Sequence, residues 1–321
     1  MVTLSSHPVA GVDYPATLPQ VREWFADDGS CLEYLARLRW PDGFVCPGCQ
    51  GRRAWVTGKG LWMCTDCARK TSVTAGTIFH RTRTPLPVWF DAIWMVTAQR
   101  NGISARNLQP ILGFASYETA WAWLHKLRRA MIDPGREKLR GVVELDETFI
   151  GGVSVGRDGA STDKVPIMVA VERPGGRRLG RIRLRPTTSP GSHALLHFAA
   201  EVIEPGSTIH TDGARFLRRL SDMGYTHEYV LGYKATDPTT VLPGVHLVAS
   251  LLKRWLIGTL HHSVSDTHLP YYLDEYTFRF NRRTSRSRGL LFYRLLQQAV
   301  TTQPQPLHTI IGSNHHNQDF S

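Results

Sequence analysis

Four of the chain's five cysteines stand in two Cys-x-x-Cys pairs, Cys46/Cys49 and Cys64/Cys67, and no other feature restricts the possible structures so tightly. Each pair forms a tight knuckle that sets two thiolates on one side of a tetrahedral ion, and two such knuckles fourteen residues apart define a small zinc ribbon. Pro47 and Gly48 suit the sharp turn of the first knuckle, while Trp55 and Trp62-Met63 read as hairpin strands between the two. Because thiolates fill all four positions, the zinc is expected to be structural rather than catalytic. The amino terminus has no basic region followed by an apolar one, so the cysteines argue for metal and not for disulfides. Cys31 is left over. It sits among Leu32, Tyr34, Leu35 and Leu38 at helical spacing and reads as a buried structural thiol.

A length of 321 residues allows two or three domains, and 42% hydrophobic residues supply a core. The formal charge of +11, from 38 Lys and Arg against 27 Asp and Glu, favours a polyanionic partner, of which nucleic acid is the commonest. No run reaches the length of a membrane span; the nearest, at 87–98, is interrupted by Asp91. The expectation is a soluble cytoplasmic protein with no membrane partner.

Residues 1–40 read as a helical segment of two short helices broken at Asp27-Asp28-Gly29, and 41–76 as the ribbon. Residues 85–133 follow a helical pattern whose second part reads helix, turn, helix: Ser104 as a cap, Leu108, Ile111 and Leu112, then Gly113, then Ser116 as a second cap. Pro110 is expected to shorten or kink the first of these helices. The second helix could offer Tyr117, Glu118, Thr119 and Trp121 to a major groove and Lys126, Arg128 and Arg129 to the backbone. A purely structural trihelical unit fits the same pattern. Beyond Pro134 strands are expected at 142–145, 167–171 and 181–184, a helix at 193–202, a strand at 207–210, a helix at 214–223, a strand at 227–230 and three helices to about 300. Residues 301–321 read as a flexible tail.

Within this α/β region two strands run into carboxylates. One leads to Glu144-Leu145-Asp146-Glu147-Thr148-Phe149-Ile150-Gly151-Gly152, the other to Thr208-Ile209-His210-Thr211-Asp212-Gly213. Aspartates meeting at neighbouring strand ends would hold hard divalent cations, and two such ions activate an attacking oxygen and stabilise a leaving one in a phosphodiester.

The order of elements and motifs resembles that of DDE-superfamily insertion-sequence transposases that join a four-cysteine zinc ribbon to a ribonuclease H-like domain. The resemblance rests on Cys-Pro-Gly-Cys, on the two carboxylate motifs, on Leu251-Leu252-Lys253-Arg254, and on Tyr272-Leu273-Asp274-Glu275 with Phe278-Arg279-Phe280-Asn281-Arg282-Arg283. It implies a ribonuclease H-like mixed sheet flanked by helices over 138–300, with Asp146 and Asp212 as the first two catalytic carboxylates. Where such transposases usually carry a Glu, five residues before Leu-Leu-Lys-Arg, this chain has His246. Similar subgroups carry His or Asn there, so the site reads as a variant.

On the helix that follows, Val248, Leu251, Leu252, Trp255 and Leu256 form an apolar stripe, which leaves His246, Ser250 and Lys253 on the opposite face. His246 would ligate a Mg2+ or Mn2+ ion of a two-ion site, and Lys253 would hold a DNA phosphate. Imidazole suits manganese better than magnesium, which leaves Glu275 or Asp274 as an alternative third ligand. Lys253, Arg254, Arg279, Arg282, Arg283 and Arg286, interleaved with Tyr276, Phe278 and Phe280, are the candidate grip on double-stranded DNA. The resulting expectation is a prokaryotic transposase, nucleoid-associated when bound, that acts on element ends and target DNA as a homo-oligomer. A non-catalytic DNA-binding regulator and a plain nuclease are the alternatives.

Overall fold

A computed structural model describes residues 7–133, 135–151, 164–176, 178–188, 192–231, 241–260 and 265–311. The chain divides into two compact units, one formed by residues 1–133 with 285–321 and the other by 134–284.

The first unit opens with α1 (Leu18–Trp24) and α2 (Asp28–Arg39). Their separation is set by capping. Asp27 accepts the Ser30 backbone N–H at 2.8 Å, and the Ser30 hydroxyl reaches back to the Asp27 backbone, so a new helix starts where the acidic-glycine break was expected. Cys31 is fully buried in α2, and burial raises its thiol pKa to about 12, as a structural role requires. The ribbon follows as an antiparallel sheet of β1 (Ala54–Val56), β2 (Trp62–Cys64) and β3 (Lys70–Thr71). Its small core is Phe44, Cys46 and Cys64, with Phe44 stacked on Trp62 and Trp40 edge-on to Phe44.

Next come α3 (Leu86–Ala98), α4 (Ala105–Leu112) and α5 (Tyr117–Ala130). Ser104 and Ser116 cap α4 and α5 through their hydroxyls, and Gly113 ends α4 at φ 68°, a left-handed conformation that favours glycine. Pro110 lies inside α4, which is only eight residues long. The rings of Trp89 and Trp123 stack in parallel, tying α3 to α5.

The second unit is a five-stranded mixed sheet with helices on both faces. β4 (Val142–Ile150), β5 (Val165–Glu172) and β6 (Ile182–Pro186) form an antiparallel meander; β7 (Thr208–Thr211) lies parallel to β4 and β8 (Thr226–Tyr229) parallel to β7. The resulting order, β6-β5-β4-β7-β8, is that of a ribonuclease H-like fold. Alternation along the strands sorts the core into two layers. Val143, Leu145, Met168, Ala170 and Ile209 face α6 (Ser192–Val202) and the 3-10 helix Arg215–Leu220. Ile167, Val169 and Val171 face α7 (Pro243–Leu260) and α8 (Leu269–Asn281). The Asn281 side chain accepts the Ile182 N–H at 2.7 Å and donates to its carbonyl at 3.2 Å, so a side-chain amide closes the free edge of β6.

The chain then returns to the first unit as α9 (Arg288–Ala299) and α10 (Leu307–Ile311). Phe292 is fully buried among Phe25, Phe90 and Trp94.

Three expectations change. The first strand of the sheet extends to Ile150, because its hairpin with β5 stays in register for eight pairs, so Asp146 lies mid-strand rather than at a tip. The compact unit ends at 284 rather than 300, because the apolar face of α9 finds its complement in α3. Part of the expected tail is helical, with Ile310 buried. Gly152 and residues 312–321 lie outside the described residues, and no helix among those described is long and apolar enough to cross a membrane.

Candidate metal centres and nucleic-acid site

The ribbon cysteines converge. Their sulfurs all lie within 4.8 Å of one another, with Cys46 to Cys67 and Cys49 to Cys64 each at 3.6 Å. Zinc–sulfur bonds of about 2.3 Å in a tetrahedron require sulfurs about 3.8 Å apart, so the cradle fits zinc.

The two knuckles repeat one backbone design. Gln50 and Ala68, each the residue after a second cysteine, take left-handed φ values of 63° and 58°, and each donates its N–H at 3.0 Å to the carbonyl of the first cysteine in its pair. The backbone N–H groups of Cys49 and Gly48 turn toward the Cys46 sulfur and lower its pKa, while the packing of thiol against thiol raises those of Cys49 and Cys67.

In the second unit the site forms where β7 stops. β4 and β7 are paired in parallel up to Glu144 opposite His210, and β7 ends at Thr211. Beyond that point, among the described residues, β4 continues against β5 alone, with Asp146 paired to Val169. The period of two places Glu144 and Asp146 on the face of β4 turned toward α7, and the same count along β7 places Asp212 beside Asp146.

Asp146 is partly buried, and its carboxyl pKa rises to about 6. Desolvation is the main cause and the neighbouring negative charge of Asp212 adds to it, while the Glu147 backbone N–H and His246 pull the other way. Asp146 therefore lies within electrostatic reach of both Asp212 and His246, while among the described residues only the four ribbon cysteines already bring three or more ligand atoms to metal-holding distance. Asp146 accepts the Glu147 N–H at 2.7 Å, and Asp212 accepts the Ala214 N–H at 3.2 Å in a turn through Gly213, whose φ is 85°. The Thr211 hydroxyl bonds the His227 ring at 2.8 Å and accepts the Gly213 N–H, which stiffens the base of that turn.

His246 lies in the first turn of α7. With Ser250 and Lys253 it faces outward, while Val248, Leu252 and Leu256 are buried. Arg254 is likewise exposed.

Two candidates are committed elsewhere. Glu275 is buried in α8 and held by Arg279 at 2.7 Å, and α8 packs on β6, two strands away from β4. Glu275 is thus paired on the α8 side of the sheet, and the Arg279 guanidinium is committed to it. Arg283 donates to the Leu179, Gly180 and Phe280 carbonyls and lies over the Phe280 ring, and Arg282 lies over Phe278. Arg286 is exposed. In the first unit Tyr117 and Glu118 are exposed on α5, but Arg128 is buried beside His125, because α5 is covered on most of its circumference, and cannot lie on a DNA backbone as expected.

Glu144, Arg173 and Gly244 were not singled out by sequence reasoning. The Glu144 carboxylate is buried, pairs with Arg173 and accepts the Val245 backbone N–H at 2.9 Å. Glu144 shares the α7-facing side of β4 with Asp146, but nothing local in the sequence marks its partners.

A ribonuclease H-like sheet with paired aspartates, behind a four-cysteine ribbon, is the architecture of DDE-type transposases. Residues 138–281 match the family model of the ISXO2-like transposase domain and residues 26–70 that of the transposase zinc-ribbon domain. The chain belongs to the DDE-superfamily insertion-sequence transposases with an N-terminal four-cysteine zinc ribbon. It is 29% identical over 291 residues to a protein of Halobacterium salinarum described as an uncharacterized protein in transposable element ISH50, a match covering 83% of this chain and 94% of that one.

Proposed function

We propose that the protein binds the ends of an insertion sequence and catalyses metal-dependent DNA strand cleavage and strand transfer. The observation that carries this reading is the position of Asp146 beside the end of β7, within electrostatic reach of Asp212 and of His246: two like-charged carboxylates near an imidazole suit a divalent cation. Two Mg2+ or Mn2+ ions there would activate the attacking oxygen and stabilise the leaving one in an in-line displacement.

Asp146 and Asp212 hold that centre from the sheet, and a ring nitrogen of His246 completes it from α7, a ligand set that favours Mn2+ over Mg2+. Lys253, two turns along the same face, holds a phosphate of the strand being cut, and Arg254 and Arg286 add charge along the duplex. Water displaces the 3′ oxygen at the element end and leaves a 3′-hydroxyl. That hydroxyl then displaces a 3′ oxygen of the target, joining the two DNAs. The ribbon and α5 contribute binding of the ends, and a homo-oligomer brings two ends together.

The test uses the full-length protein with labelled end DNA. Asp146→Asn and Asp212→Asn should abolish cleavage and joining while binding persists. Retained cleavage in either variant would overturn the assignment. Cleavage without joining of pre-cut ends would instead define a nuclease, and binding without cleavage by the wild type would define a regulator.

A further inference from the structure

We infer that Glu144, Arg173 and Gly244 form a buried clamp that sets the distance between Asp146 and His246, so that Glu144 is a positioning residue of the metal site. The inference rests on the reading of Asp146 and His246 as metal ligands.

Glu144 lies one same-face step before Asp146 on β4, and His246 directly follows Val245 in the first turn of α7. The Glu144 side chain is 4% exposed and joins these two segments: one oxygen pairs with the Arg173 guanidinium and the other accepts the Val245 N–H at 2.9 Å. A helix's first N–H groups have no partner within the helix, and they carry the positive end of its dipole. A carboxylate placed there satisfies one of them and fixes where the helix begins. Because that carboxylate belongs to the strand carrying Asp146, α7 cannot slide along β4 without breaking a buried charge-assisted bond.

Arg173 fixes the carboxylate in turn. Its backbone N–H donates to the Val142 carbonyl at 2.8 Å, its other terminal nitrogen donates to the Gly176 carbonyl at 3.1 Å, and its side chain is 17% exposed. Gly244 permits the approach. A Cβ there would lie 2.7 Å from the Glu144 carboxylate, 3.0 Å from an Arg173 guanidinium nitrogen and 3.1 Å from its Cδ. Those atoms belong to long side chains, but both ends are pinned, so a methyl group displaces either the carboxylate from Val245 or α7 from the sheet. Either way His246 moves relative to Asp146.

The experiment is Mn2+ binding to the zinc-loaded full-length protein, with free Mn2+ counted by electron paramagnetic resonance. Gly244→Ala should weaken binding at least tenfold. Glu144→Gln, which keeps an acceptor for Val245 but loses the ion pair, should weaken it less. Both variants should melt as cooperatively as the wild type and bind end DNA normally. A purely structural role lowers the melting temperature and leaves Mn2+ affinity unchanged, so wild-type affinity in both folded variants overturns the clamp. Asp146→Asn separates the layers. If it too binds Mn2+ like the wild type, the metal-site reading fails and the clamp falls with it. If it weakens binding while the other two do not, the clamp alone is wrong.

Discussion

Asp146 should make the metal-free protein less stable than it need be, by an amount that depends on pH. Burial, with Asp212 close by, raises its pKa from the ordinary 3.8 to about 6 in the folded chain. At about 1.36 kcal/mol per pH unit, holding the ionised form costs the fold about 3 kcal/mol. A carboxyl whose folded pKa is raised contributes stability through its proton. That contribution is complete below about 3.8 and is lost as pH rises through about 6.

Asp146→Asn removes the ionisation and keeps an oxygen to accept the Glu147 N–H. Without added divalent ions it should therefore stabilise the second unit by up to about 3 kcal/mol at pH 8, and by little at pH 4. Saturating Mn2+ should reverse the ranking, because only the wild type gains a full set of ligands. Hydrogen exchange read by mass spectrometry on peptides of β4 and β5 isolates this unit from the rest of the chain. An equal effect at both pH values, or none at pH 8, would refute the reasoning.

Three further outcomes follow from the packing and the ribbon. The purified protein should contain one zinc, and Cys49→Ser should lower that content and disturb the fluorescence of Trp40 and Trp62; less than about half an equivalent in the wild type contradicts the ribbon assignment. Phe292→Ala empties a fully buried ring site and should destabilise the first unit by about 3–5 kcal/mol in denaturant while exchange in β4 and β5 stays unchanged. Arg279→Ala strands the buried Glu275 carboxylate and should destabilise the second unit by about 3–5 kcal/mol, yet leave the salt dependence of DNA binding as it was, whereas Arg286→Ala should flatten it.

What could be read in the sequence follows the range of the forces involved. The four ligands and the hairpin of the ribbon were legible because two Cys-x-x-Cys knuckles carry their geometry locally, whereas the left-handed turns at Gln50 and Ala68 and the third strand at Lys70–Thr71 were not read. The order of strands and helices revealed the sheet, and the stripe of Val248, Leu252 and Leu256 correctly turned His246 and Lys253 outward. Asp146 was placed at a strand tip because apolar alternation fades after Leu145; only the hairpin with β5 carries the strand on to Ile150. Glu144 hides its purpose in a partner 29 residues away and another 101 residues away. Charge alone suggested that Arg279 and Arg283 face DNA; a buried glutamate takes up the Arg279 guanidinium, while Arg283 bonds three backbone carbonyls and stays exposed. The switch of α9 to the first unit was hidden for a similar reason, since its apolar face would suit either core.

The most direct test of the catalytic account is an anomalous-scattering map of crystals grown with Mn2+ and a cut element end. The account predicts two manganese peaks about 3.5–4 Å apart, both touching Asp146, with Asp212 and the His246 ring completing their shells. Manganese bound away from Asp146 and Asp212, or a carboxylate from α8 in the place of His246, would contradict it.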